Sequence, residues 1–169
     1  GYPFEELRDK FIMAKESNTK EIDDNLPKGL EYLSLKGHFF DMIGIKTDDD
    51  VYFLGDSIFS EEIILKYHIF FLYDVNEFLK TLDTLSTLKG RVFIPSHAQA
   101  TNNIDNLIKI NKNKIEEICN TIIKMCEKNI TFEELLQKIF ETYNLSMNIT
   151  QYMLIGSTIK SYLAYLKDN

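Results

Sequence analysis

Three short segments each set a metal-capable side chain beside a residue that lets the backbone turn. They are Lys36-Gly37-His38, Gly55-Asp56-Ser57 and Pro95-Ser96-His97. Each sits at the end of an apolar stretch that reads as a strand: residues 30–35, 51–54 and 91–95. Strand ends are rigid, and the small or constrained neighbours Gly37, Gly55 and Pro95 present the next side chain at the rim of a sheet. Two imidazoles and one carboxylate suit zinc or iron, and also manganese. Taken singly, each segment has an ordinary reading: a loop histidine, a turn, a loop again. Their order behind three predicted strands makes them a set.

The elements that must position them follow from pattern. The alternation in residues 30–35 and 42–46 predicts two strands, and Asp48-Asp49-Asp50 a turn into a third, so an antiparallel hairpin is expected. Residues 60–66 suit a short helix, and another short helix is expected over 4–14. Asp74 with Glu77 forms a capping-box pattern that opens a helix to about Leu88, with Phe78, Leu79, Leu82 and Leu85 at helical spacing. Gly90 ends it before the strand at 91–95. From Thr101 onward the chain reads as helical. One stripe runs through Ile104, Leu107, Ile108, Ile115, Ile118, Cys119, Ile122 and Cys126. Thr131 with Glu134 caps a second helix, and Asn148 a third, with Tyr152, Ile155, Ile159, Tyr162, Leu163 and Leu166 expected inward.

The segments Gly37-His38-Phe39-Phe40-Asp41, Phe53-Leu54-Gly55-Asp56-Ser57-Ile58-Phe59 and Phe93-Ile94-Pro95-Ser96-His97-Ala98 resemble, in that order, the C-terminal half of the metallo-β-lactamase fold, a broad hydrolase superfamily. The intervals, 18 residues from His38 to Asp56 and 41 from Asp56 to His97, suit it. The tail after Thr101 resembles the small helical, winged-helix-like extension of some bacterial members. The resemblance implies an α+β chain: half of an αββα sandwich over residues 1–100, with 1–29 an irregular lead-in, and a helical extension over 101–169. It implies that His38 is a ligand of one metal site, His97 of a second, and Asp56 the catalytic carboxylate that bridges both. It further implies zinc, two ions in the intact parent, and a metal-activated water that cleaves an ester, thioester, lactam or phosphodiester bond of a small-molecule substrate.

Departures from the family pattern set further expectations. The superfamily's His-x-His-x-Asp-His signature is absent, and the remaining histidine, His68, matches nothing in it. Ser96 stands where Gly is more usual, and Asp41 where many relatives have a small residue. Three ligands drawn from two sites complete neither. The chain is therefore expected to be a fragment that lacks its N-terminal half and is inactive alone, with its own metal occupancy left open by the sequence. Its bare sheet face is expected to pair with that half, or with a second copy by dimerisation or domain swapping. The alternative is a non-catalytic interaction or regulatory module on a degenerate scaffold.

Composition narrows the partners. The 169 residues are 44% hydrophobic with a net charge of −7, which disfavours nucleic acid and anionic membrane surfaces. No apolar run reaches the roughly 18 to 20 residues of a membrane span. Cys119 and Cys126, seven apart on a predicted helix, stand about 10 Å apart, too far for a disulfide, so a reduced, cytoplasmic setting is expected. Ser57 lacks a nucleophile elbow. The three consecutive aspartates lack the spacing of a calcium loop. The aromatic stretch 67–73, which contains His68, reads as packing surface awaiting a partner.

Overall fold

The computed structural model describes residues 18–169; the helix expected at 4–14 lies outside them. A short helix, α1 (Ile22–Asn25), leads into β1 (Leu30–Ser34), β2 (Ile43–Thr47) and β3 (Val51–Phe59), an antiparallel meander. The turn between β2 and β3 is the triple aspartate. Asp50 takes the left-handed conformation there, φ 59°, and Arg91 ion-pairs with Asp49. β4 (Val92–His97) runs parallel to β3 and completes the order β1-β2-β3-β4. Parallel neighbours need a crossover, and here α2 (Glu61–Tyr67) and α3 (Val75–Thr87) provide it. Ser60 caps α2 through Ile63 N–H, and Asp74 caps α3 through Glu77 N–H.

Three helices follow: α4 (Asp105–Met125), α5 (Phe132–Thr142) and α6 (Ile149–Asp168). The Thr131–Glu134 capping box is present with both of its reciprocal bonds, and the Asn148 side chain accepts from Gln151 N–H. These helices share one apolar core with the sheet, running from Leu35 and Leu54 through Phe78 and Ile118 to Ile159 and Tyr162. The chain is thus α+β, one sheet layer with covering helices.

The other face of the sheet is partly open. Register aligns Tyr32, Ile45, Phe53 and Ile94 across all four strands. Paired residues share a face, so these four make one apolar row. Tyr32 is 42% exposed and Phe53 45%.

Four sequence expectations need correction. β3 continues through Gly55 and Asp56 to Phe59 instead of ending at residue 54. Gly55 adopts φ 56° at a register shift, so the strand bulges there and resumes. Tyr152, expected inward, is exposed, because α6 begins beyond the edge of the core. Cys126 is exposed past the last turn of α4 while Cys119 is buried; both are free. In the aromatic stretch, Ile69, Phe70 and Leu72 are buried in this chain's own core, leaving Tyr67 and Tyr73 exposed.

Candidate metal-binding rim

His38 follows Gly37, whose φ of 122° is open only to glycine and whose Cα lies against the backbone of α3. Gly37 carbonyl accepts from Tyr73 N–H (2.9 Å) and Asp74 N–H (3.0 Å), so the start of α3 anchors this turn. Asp56 stands on the bulged part of β3, one residue after Gly55. His97 ends β4, and its carbonyl accepts from Ser60 N–H at 3.0 Å, which ties it to the cap of α2.

These elements bring the three predicted residues together. His38 Nε2 lies 3.4 Å from Asp56 Oδ2, and His97 Nε2 lies 3.5 Å from Asp56 Oδ1. Each imidazole therefore faces a different oxygen of one carboxylate. The Phe59 ring packs against both, 5.8 Å from each imidazole centroid, stacked on His97 and tilted to His38. Phe71 adds an edge-on contact to His38 at 5.5 Å.

Hydrogen bonding settles the tautomer of His38. Its Nδ1 lies 2.9 Å from Phe71 carbonyl oxygen, which can only accept, so Nδ1 carries a proton. Burial pushes the His38 imidazole below its ordinary pKa, against the pull of Asp56 and of the Phe71 hydrogen bond. In the neutral ring Nε2 is a lone pair aimed at a carboxylate oxygen. Two acceptors face each other at 3.4 Å, a pairing that a cation relieves.

The donor set fits a metal in part. Among the described residues, no three His, Cys, Asp or Glu side chains are grouped to hold one ion. Asp56 with His38, and Asp56 with His97, offer two donors on each side of the carboxylate, and an enclosed zinc site takes about four.

The sequence reading missed how Phe59 is held. Asn111, fully buried on α4, donates from Nδ2 to Phe59 carbonyl (2.7 Å) and accepts at Oδ1 from Phe59 N–H (3.2 Å). The signal was present: positions 104, 108, 111, 115, 118 and 122 form one helical face, and Asn111 is its polar member. His68 takes no part in the rim; it packs its ring on Tyr143 at 5.7 Å with φ 53°. Ser57 is wholly buried, and among the described residues its hydroxyl has no hydrogen-bond partner, which leaves no access for nucleophilic chemistry.

No family model matches the chain, and no curated protein sequence does. Solved structures do match. A metallo-beta-lactamase family protein from Thermus thermophilus superposes with a TM-score of 0.63 at 17% identity, covering 82% of this chain and 44% of that one. A beta-lactamase domain protein from Burkholderia ambifaria gives 0.58 at 13% identity, covering 82% and 43%. The fold is that of half a metallo-β-lactamase sandwich. Its order, sheet first and helices after, is the one expected of the C-terminal half with a helical extension. The chain spans less than half the length of either protein it matches.

Proposed function

We propose that this chain is the C-terminal part of a metal-dependent hydrolase. One observation carries the reading. A single carboxylate presents one oxygen to each of two imidazoles, at 3.4 and 3.5 Å, on the rim of a metallo-β-lactamase-type sheet. In the intact parent, His38 and Asp56 would serve one zinc ion, and His97 and Asp56 a second, with the remaining ligands from an N-terminal half. Bound there, such ions activate water and polarise the bond to be cleaved in an ester, thioester, lactam or phosphodiester of a small molecule. This chain's residues orient the site: Phe71 carbonyl holds the His38 tautomer, and the Asn111-anchored Phe59 packs against both imidazoles. With two donors per ion, the chain alone is inactive.

The row Tyr32, Ile45, Phe53 and Ile94 is where a second sheet layer would pack. The greater length of the matching structures supports the missing half as its natural cover, with a second copy of the chain as the substitute. Two free cysteines support a reducing, cytoplasmic setting. Among the described residues, no helix is long and apolar enough to cross a membrane.

Metal analysis of the full-length protein tests the proposal. Two zinc ions per chain are expected, falling to one or fewer with Asp56→Ala, because both ions lose a ligand. Zinc content that is unchanged by this substitution refutes the role given to Asp56, and no zinc in the wild type favours a non-catalytic interaction module.

A further inference from the structure

Thr158 stands wholly buried in the apolar stripe of α6, among Ile155, Ile159 and Tyr162. Its hydroxyl donates to Leu154 carbonyl, one turn back, at 3.1 Å, as threonines inside helices commonly do. A hydroxyl has one proton, so its lone pairs are left for a donor. Leu72 N–H supplies one at 3.2 Å, and Leu72 is wholly buried too. That N–H belongs to the same peptide group as Phe71 carbonyl, the acceptor of His38 Nδ1–H at 2.9 Å. The group is planar and trans, so its N–H and C=O point opposite ways. His38 therefore engages one end of this peptide and Thr158 the other. The bonds run in one direction: His38 Nδ1–H to Phe71 oxygen, Leu72 N–H to Thr158 Oγ1, Thr158 O–H to Leu154 oxygen. Hydrogen bonds in series polarise one another, so engaging Leu72 N–H strengthens Phe71 oxygen as an acceptor. A second anchor lies three residues on, where Val75 N–H donates to Ser161 Oγ at 3.0 Å.

Resting on the hydrolase reading above, we infer that Thr158 is a positioning residue for His38. Through the Phe71–Leu72 peptide it holds that imidazole with Nδ1 protonated and Nε2 free to bind a metal. Partners of this kind behind a ligating imidazole fix its tautomer and raise its basicity. The helical extension is then part of the support of the metal centre, although it contributes none of the three predicted ligands. The same segment donates Tyr73 and Asp74 N–H to Gly37 carbonyl, so α6 backs the very stretch that grips the turn before His38.

Imidazole nitrogen chemical shifts of the zinc-free full-length protein read the tautomer at about pH 9, where a histidine ring is neutral. The His38 signals are those lost in His38→Gln. Wild type should carry its proton on Nδ1. Thr158→Val keeps the side chain's shape and removes the acceptor. It should lower the ratio of Nδ1–H to Nε2–H roughly twofold to tenfold, the change equivalent to one net hydrogen bond. Thr158→Ser restores the oxygen and should return the ratio to within about twofold of wild type. Ser161→Ala removes the second anchor from the same helix without touching the Phe71–Leu72 peptide, and should leave the ratio unchanged. Zinc titration should show one ion weakened at least about threefold by Thr158→Val and the other unaffected. A wild-type His38 protonated on Nε2 overturns the inference without any variant. So does a ratio, or a zinc affinity, indifferent to Thr158→Val. A ratio lowered equally by Ser161→Ala also overturns it, because general loosening of α6 then accounts for the shift. The expected tautomer changes in a protein whose wild type binds no zinc refute the hydrolase reading alone.

Discussion

Gly37→Ala isolates the geometry that delivers His38. An ideal Cβ at residue 37 would lie 2.3 Å from both N and Cα of Phe78, which are backbone atoms inside α3. To reach an ordinary 3.4 Å contact the two backbones must part by 1.1 Å, that is 3.4 minus 2.3. Alanine must also hold φ near 122°. A sparsely allowed backbone costs about 1–3 kcal/mol, and forced overpacking about another 1–3 kcal/mol. The expected loss is therefore about 4 kcal/mol. Gly55→Ala is the control: φ is 56°, yet the nearest atom to its Cβ is Met42 Sδ at 3.8 Å. Only the left-handed cost of about 1–2 kcal/mol applies there. Urea unfolding separates the two. With a slope of about 2 kcal/mol per molar urea, Gly37→Ala should lower the midpoint by about 2 M and Gly55→Ala by under about 1 M. Equal midpoints would refute the argument that α3 presses on the turn carrying His38.

Two further stability measurements follow. Tyr162 is fully buried and its hydroxyl has no hydrogen-bond partner among the described residues, so Tyr162→Phe should raise stability by about 1 kcal/mol in the same urea assay, and a loss would show that the hydroxyl has a partner. Burial pushes the Glu117 carboxyl up, but hydrogen bonds from Lys114 and Tyr143 and the charge of Lys114 outweigh it and hold the pKa below its usual value of 4.5. The folded state thus favours the ionised form, a contribution present above pH 4.5 and lost as pH falls through the depressed value. Wild type should exceed Glu117→Gln in stability at pH 7, with the gap closing in acid; a gap that widens would reverse the sign.

Local signals in the sequence carried far. The caps at Asp74, Thr131 and Asn148 sit where side-chain spacing placed them, because capping is chemistry within four residues. The hairpin at the triple aspartate and the strand before His97 were legible for the same reason. The extent of β3 was not. A glycine at a predicted strand end reads as a stop, and only pairing with β2 and β4 turns it into a bulge that the strand passes through. Tyr152 failed similarly: helical spacing assigns a face, but not where along the helix its neighbour ends. His38, Asp56 and His97 were named from their segments, while their approach on one rim depends on contacts across 59 residues of chain, from 38 to 97. The Phe71 carbonyl that orients His38 belongs to the backbone, so residue type at that position held no trace of it.

The paired bonds between Asn111 and the Phe59 main chain weld the tail to the rim. A chain cut after residue 100 would strip Phe59 of both hydrogen bonds to Asn111 and leave its amide and carbonyl unpaired by the protein. It would also loosen the ring that packs on both imidazoles. Swapping in a foreign tail therefore requires an amide-bearing side chain at the same turn of its first helix.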